Sequence, residues 1–224
     1  MKNILVLGAG RSSTGLIRYL LDRAEEKHWQ VTVADLDPKL AAEKTGEHPL
    51  GTSLGLNILD ADRRGMLVHG TDIVLSMLPA SMHGLVAESC LQHRKPMVTA
   101  SYVSAELRKM DAEASRKGVL ILNEMGVDPG IDHMSAMRII DRIRDEKGIL
   151  DIFESSTGGL VAPGSDDNPW RYKFTWNPRN VVLAGQKGAR FMHNGFFKYI
   201  PYHKIFKRFE VLQFHCRFPL LCSR

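Results

Sequence analysis

The chain has 224 residues, of which 44% are apolar and 25% charged, with a net charge of +5. These values describe an ordinary globular protein, one large domain or two modest ones, able to bury a real core. The mild basic excess suits an anionic nucleotide cofactor and a polycarboxylate substrate, whereas the lack of a Lys/Arg run with interleaved aromatics argues against nucleic acid.

The first element is the apolar run Ile4–Leu7, too short for the core of an export signal. It turns at once into Gly8-Ala-Gly10-Arg11-Ser12-Ser13, the strand–loop–helix setting that a dinucleotide fingerprint requires. Gly8 permits the tight turn, and Gly10 lets backbone approach a pyrophosphate held on helix N–H groups. Ser13 stands where a third glycine is usual, which predicts slightly looser helix–strand packing. Arg11 either pairs with a 2′-phosphate or covers the pyrophosphate, and Ser12 completes the loop. Ile17, Leu20, Leu21 and Ala24 then form a helical stripe.

A second strand, Val31–Ala34, delivers Asp35 to its end. A carboxylate there binds both ribose hydroxyls of an adenosine and repels a 2′-phosphate, so NAD is expected, with NADP as the alternative. Asp35 could instead be a turn residue, although Asp37-Pro38 could supply that turn alone. Asn57 and Ile58 are added to the cofactor set. The run Asp72–Met77 is the fourth strand; its carboxyl end places Ser76, Leu78 and Pro79 along the cofactor path. A helix is predicted over Ala80–His93, and His83 in its first turn is read as a surface or packing residue rather than a catalytic one. Met97–Thr99 is the fifth strand, followed by Ser101 and Tyr102 at its carboxyl end, a helix over Ser104–Lys117 and a strand within Val119–Leu122.

The segment Asn123–His133 ends that strand with polar groups and a turn at Pro129-Gly130. Asp128 either contacts substrate or fixes its own Asp-Pro-Gly turn, Asp132 reads as a helix cap, and His133 as structural. A helix striped by Ala136, Ile139, Ile140 and Ile143 runs to about Gly148, and strand-like stretches follow at Asp151–Ser156 and Tyr172–Trp176. The expectation is α/β: a Rossmann-type doubly wound parallel sheet followed by a partial α+β substrate domain. Its divisions are 1–130 for the nucleotide, 131–208 for the substrate, and an atypical tail at 209–224.

Three cysteines (Cys90, Cys216 and Cys222) suit a reducing compartment, so cytoplasm is expected. No apolar stretch approaches the roughly 18 residues of a spanning helix, so no membrane partner is expected. Exposed apolar surface on a partial second domain favours self-association as a homodimer. No metal is expected, because ligand spacings such as H-x-x-x-H or C-x-x-C are absent; no G-x-S-x-G nucleophile elbow occurs either.

Four segments in order carry a resemblance. Thr99-Ala-Ser-Tyr102, Asn123–His133, Thr157-Gly-Gly-Leu-Val-Ala-Pro163 and Asp167–Trp176 resemble the glutamate-forming saccharopine dehydrogenase family, with the match running to about Arg190. The resemblance implies a lysine-pathway oxidoreductase that oxidises the C–N bond of saccharopine with a nicotinamide cofactor. Hydrolysis then gives glutamate and 2-aminoadipate semialdehyde. It also implies that Ser101, Tyr102, Asp128, Gly158 and Gly159 line the substrate, with Asp128 and Tyr102 as the catalytic pair. Asp128 would hold the substrate ammonium first and assist proton transfer second.

Two departures temper the family pattern. Thr157 stands where some members carry a cysteine, and the later Pro-Asn-Arg-Asp-Ser-like segment with its substrate-clamping arginine is not found. Arg171 and Arg179 are the nearest substitutes. The alternatives are a truncated nucleotide-binding remnant without turnover and a related carboxynorspermidine-type dehydrogenase.

Overall fold

The computed structural model describes residues 1–155, 161–174, 178 and 188–207. The chain divides into two compact units, Met1–Thr157 and Gly158–Arg224.

The first unit is built on six parallel strands: β1 Lys2–Leu7, β2 Trp29–Asp35, β3 Gly51–Gly55, β4 Ile73–Ser76, β5 Met97–Thr99 and β6 Ile121–Leu122. Their order is β3-β2-β1-β4-β5-β6, so the winding direction reverses between β1 and β4. Ligands of such sheets bind outside the carboxyl ends at that reversal. The helices of this unit are α1 Thr14–Asp22, α2 Ala24–Lys27, α3 Pro38–Thr45, α4 Ala61–His69, α5 His83–His93, α6 Ala105–Lys109, α7 Asp111–Lys117 and α8 Ile131–Asp145.

Alternation along β1 explains the layers. Leu5 and Leu7 pack with Val68, Val86, Ala87 and Cys90 on one face, while Ile4 and Val6 pack with Ile17, Leu20 and Leu21 on the other. Both faces are covered, as a parallel sheet requires, and each fully buried Leu or Val contributes about 1.5–3 kcal/mol. Burial pushes the Cys90 thiol up to about 12, so it stays a neutral core residue. Asp37, Asp60 and Ser104 cap α3, α4 and α6 by accepting the amides of Lys39, Arg63 and Leu107.

Several expectations are corrected. β3 was missed because Gly51-Thr-Ser-Leu-Gly55 has no apolar run, only half-buried residues at the edge of the sheet. The helix expected over Ser104–Lys117 breaks at Met110 into α6 and α7. Asp151–Ser155 and Tyr172–Phe174 form no strand, and Phe153 and Ile152 are exposed; Ser156, Thr175 and Trp176 lie outside the described residues. α8 forms as its periodicity predicts, but none of its residues is buried.

In the second unit, β7 Ala189–His193 and β8 Phe196–Ile200 form an antiparallel pair turning at Asn194 and Gly195, both at positive φ. The tail from 208 onward lies outside the described residues. No helix among the described residues is long and apolar enough to cross a membrane.

Candidate active site

The residues expected to bind cofactor fall along one edge, at or just after the carboxyl ends of β1 to β4. Gly8 has φ 102, and a Cβ there would lie 3.0 Å from the Met77 carbonyl oxygen, so β1 and β4 meet closely only because this side chain is missing. Around Gly10 nothing lies within 4 Å of where a Cβ would be. That open backbone leads into a short turn, Arg11–Ser13, and then α1, whose first amides lack intrahelical partners. Open space beside unpaired amides at a helix start fits a pyrophosphate.

Ser13 corrects the expectation of loose packing. It is completely buried, and its hydroxyl donates to the Gly10 carbonyl at 2.7 Å, closing the loop on itself. The Asp35 carboxylate is likewise engaged, accepting the Ala9 amide at 2.6 Å and the Asp37 amide at 3.0 Å. Asn57 and Ile58 follow β3; the Asn57 side chain accepts the Leu59 amide at 3.0 Å, and the Ile58 carbonyl accepts from the guanidinium of Arg64. Arg64, which sequence reasoning did not single out, is buried and also donates to Ser89 at 2.9 Å.

On the other side of the reversal, Ser76 and Thr99 face each other across β4 and β5. Both are buried, and both bond to His83, the first residue of α5. The Ser76 hydroxyl is therefore engaged by His83 at the carboxyl end of β4, just before Leu78 and Pro79. Leu78 packs against the Leu5–Leu7 face of the core, and Pro79 begins the turn into α5. Burial pushes His83 down to about 4, so its ring is neutral.

The candidate catalytic pair is brought together. The Tyr102 hydroxyl donates to Asp128 Oδ1 at 3.3 Å across a separation of 26 residues. Burial first, and then the Asp128 charge, raise the Tyr102 pKa, so the hydroxyl keeps its proton. The loop carrying Asp128 is laid beside the end of β5 by main-chain bonds: Glu124 donates to the Ser101 carbonyl at 3.1 Å and Met125 to that of Thr99 at 3.1 Å. Glu124 also accepts the Val103 amide at 3.2 Å, a contact with no sequence signal. The Asp128–Pro129 peptide bond is cis, and Gly130 has φ 148.

Asp132 is not the helix cap. Gly130 occupies that position, and Asp132, inside the first turn of α8, reaches back to accept the Gly130 amide at 2.8 Å. It also accepts from His133 at 2.9 Å, and this hydrogen bond raises the exposed imidazole's pKa. Thr157, Gly158, Gly159 and Arg179 lie outside the described residues. Arg171 pairs with Asp166 at 3.6 Å within the second unit.

Residues 4–122 match the family model of the saccharopine dehydrogenase NADP binding domain, and residues 126–222 that of the saccharopine dehydrogenase C-terminal domain. Alpha-aminoadipic semialdehyde synthase of Arabidopsis thaliana is 37% identical over 212 residues, a span covering 86% of this chain and 20% of that protein. Saccharopine dehydrogenase (NADP(+), L-glutamate-forming) of Saccharomyces cerevisiae is 35% identical over 195 residues, covering 87% of this chain and 43% of that protein. The solved apo structure of that yeast enzyme type aligns with a TM-score of 0.80 at 32% identity, covering 91% of this chain and 45% of that one. The chain thus spans less than half the length of these relatives.

Of the two cofactors that the sequence allows, the matched domain is the NADP binding one. The Asp35 carboxylate, on which the preference for NAD rested, is held by two main-chain amides. With its sheet order, its glycine loop and two family models matched in sequence, this chain belongs to the saccharopine dehydrogenase family.

Proposed function

We propose that the chain carries the NADP-linked oxidation of saccharopine, a secondary amine, to glutamate and 2-aminoadipate semialdehyde, or the reverse condensation. The observation that carries this reading is the Tyr102–Asp128 pair, at 3.3 Å, standing at the carboxyl ends of β5 and β6. The cofactor supplies the hydride acceptor. Gly8, Gly10, Arg11, Ser12 and Ser13 would hold its pyrophosphate end, with Asp35, Asn57 and Ile58 around the adenosine and Leu78 and Pro79 along the path between the two halves.

The protein's own part is to bind the amine and move its protons. Asp128 holds the substrate ammonium and accepts its proton as the carbon beside the nitrogen gives up its hydride; Tyr102, kept protonated, donates to that carboxylate and orients it. Water then adds to the resulting imine carbon, the C–N bond breaks, and the lysine-side fragment leaves as an aldehyde. Ser101 would add to the substrate surface; Gly158 and Gly159, which the family resemblance assigns to the substrate, lie outside the described residues. In this reading the nucleotide part runs to residue 130, just inside the second matched family region, residues 126–222. A homodimer in a reducing compartment such as the cytoplasm, without nucleic acid, completes the reading; the buried free thiol of Cys90 suits such a compartment.

Calorimetric titration with NADP+ and NAD+, followed by addition of saccharopine and measurement of reduced cofactor, tests the proposal. Binding with formation of NADPH supports it. Binding without turnover reduces the chain to a nucleotide-binding unit, and no binding of either cofactor removes the reading altogether.

A further inference from the structure

His83 is a buried side chain with three side-chain hydrogen-bond partners. Its Nδ1 lies 2.9 Å from the Ser76 hydroxyl, and its Nε2 lies 2.8 Å from that of Ser101 and 3.2 Å from that of Thr99. Ser76 ends β4, Thr99 ends β5, and Ser101 opens the segment that carries Tyr102. A neutral imidazole has one donor and one acceptor nitrogen, and hydroxyls rotate to suit either, so both tautomers satisfy the cluster. A side chain needed only for volume at this place would be apolar, because any buried hydroxyl left without a partner costs stability. The ring instead ties two adjacent strand ends to a crevice residue.

The Ser101 main chain extends that tie. Its amide donates to the Thr99 hydroxyl at 3.3 Å, and its carbonyl accepts the Glu124 amide at 3.1 Å, the first bond of the loop that leads to Asp128. In a doubly wound sheet the β1–β3 half takes the adenosine, so the half headed by β4 and β5 takes the nicotinamide ribose. Resting on the cofactor reading above, we propose that His83 is a positioning residue for the nicotinamide half of the site: through Nε2 it fixes the Ser101 hydroxyl, and with it the backbone bearing Tyr102, as a preset floor for that half of the cofactor.

The test compares two ligands by calorimetry: NADPH, and adenosine 2′,5′-bisphosphate, which carries only the adenosine half. His83→Asn keeps a polar atom near Nδ1 but cannot reach Ser101. It should raise the NADPH Kd by about tenfold, the scale of one ordered hydrogen bond, and leave bisphosphate affinity unchanged. In His83→Gln the amide reaches the position of Nε2 and should recover most of that loss. Ser101→Ala should reproduce it, and combining it with His83→Asn should add little. The inference is overturned if His83→Asn binds NADPH like the unaltered chain, or weakens both ligands equally, as a general folding defect does. Should His83→Asn fail to fold, Ser101→Ala decides alone, since undiminished NADPH affinity there removes the proposal. An unaltered chain that binds neither ligand removes the cofactor reading and this inference together.

Discussion

The Asp35 carboxylate accepts the Ala9 amide at 2.6 Å, so the end of β2 is bonded to the middle residue of the glycine loop. This carboxylate braces the glycine loop from within the protein. Asp35→Asn keeps an acceptor and removes the charge, which should shift preference toward NADPH over NADH by several-fold. Asp35→Ala loses both main-chain bonds and should weaken binding of both cofactors while lowering stability by about 1–3 kcal/mol. Paired titrations and melting curves read the two effects separately.

Arg11 is exposed at the first position of the turn after Gly10. A guanidinium there is suited to a 2′-phosphate. Arg11→Ala should weaken NADPH roughly tenfold, the scale of a charged hydrogen bond, and NADH much less. Equal losses for the two cofactors would move Arg11 to the pyrophosphate instead.

Tyr102→Phe and Asp128→Asn test the chemistry. Each should lower kcat for saccharopine oxidation, Asp128→Asn by roughly 100- to 10,000-fold, with NADPH affinity nearly unchanged. The Tyr102 hydroxyl donates to Asp128, so its removal should also raise the KM for the amine. A double variant no slower than Asp128→Asn alone would show the two acting as one unit.

His83 makes stability depend on acid. Its pKa in the fold is about 4 against an ordinary 6.5, so between those values the unfolded chain binds a proton that the folded chain refuses. The stability present above about pH 6.5 should therefore fall as pH drops toward 4, by about 2–4 kcal/mol in total from this group. His83→Gln should flatten that part of the profile in denaturant titrations at several pH values.

Gly130 sits at φ 148, and a Cβ there would run into the Gly126 carbonyl oxygen and lie 2.8 Å from that of Glu124. Gly130→Ala should cost about 3 kcal/mol or more. It should also displace Asp128, so thermal unfolding and saccharopine turnover ought to fall together.

The legible parts of this chain were those with a local signature. The β1 run, the glycine loop and the Ile17–Leu20–Leu21 stripe follow from spacing alone; the run and the stripe are buried as that spacing requires, while Gly10, Arg11 and Ser12 of the loop stay exposed. β3 escaped because two glycines flank a single leucine at the edge of the sheet, leaving no periodicity to read. The division of α6 from α7 at Met110 is equally silent, since both halves share one helical pattern. Among site residues, Tyr102 and Asp128 were visible through family motifs, but His83 was not visible as a hub. Its partners lie 7, 16 and 18 positions away, and only the juxtaposition of β4 and β5 ends brings them to one ring. Arg64 was hidden for the same reason: its partners, Ile58 and Ser89, belong to segments joined only by the fold.

The turn around Asp128 closes on itself. Gly126 donates to the Pro129 carbonyl, Ile131 to that of Gly126 and Asp132 to that of Val127, each at 3.0 Å, while Gly130 donates to the Asp132 side chain. With those four amides directed inward, the turn offers no cradle for an anion, and what it presents outward is the Asp128 carboxylate. The negative charge it presents favours a cation over an anion. A substrate bearing both ammonium and carboxylate groups would therefore approach it amine first, and its acidic ends would have to find their donors on some other surface.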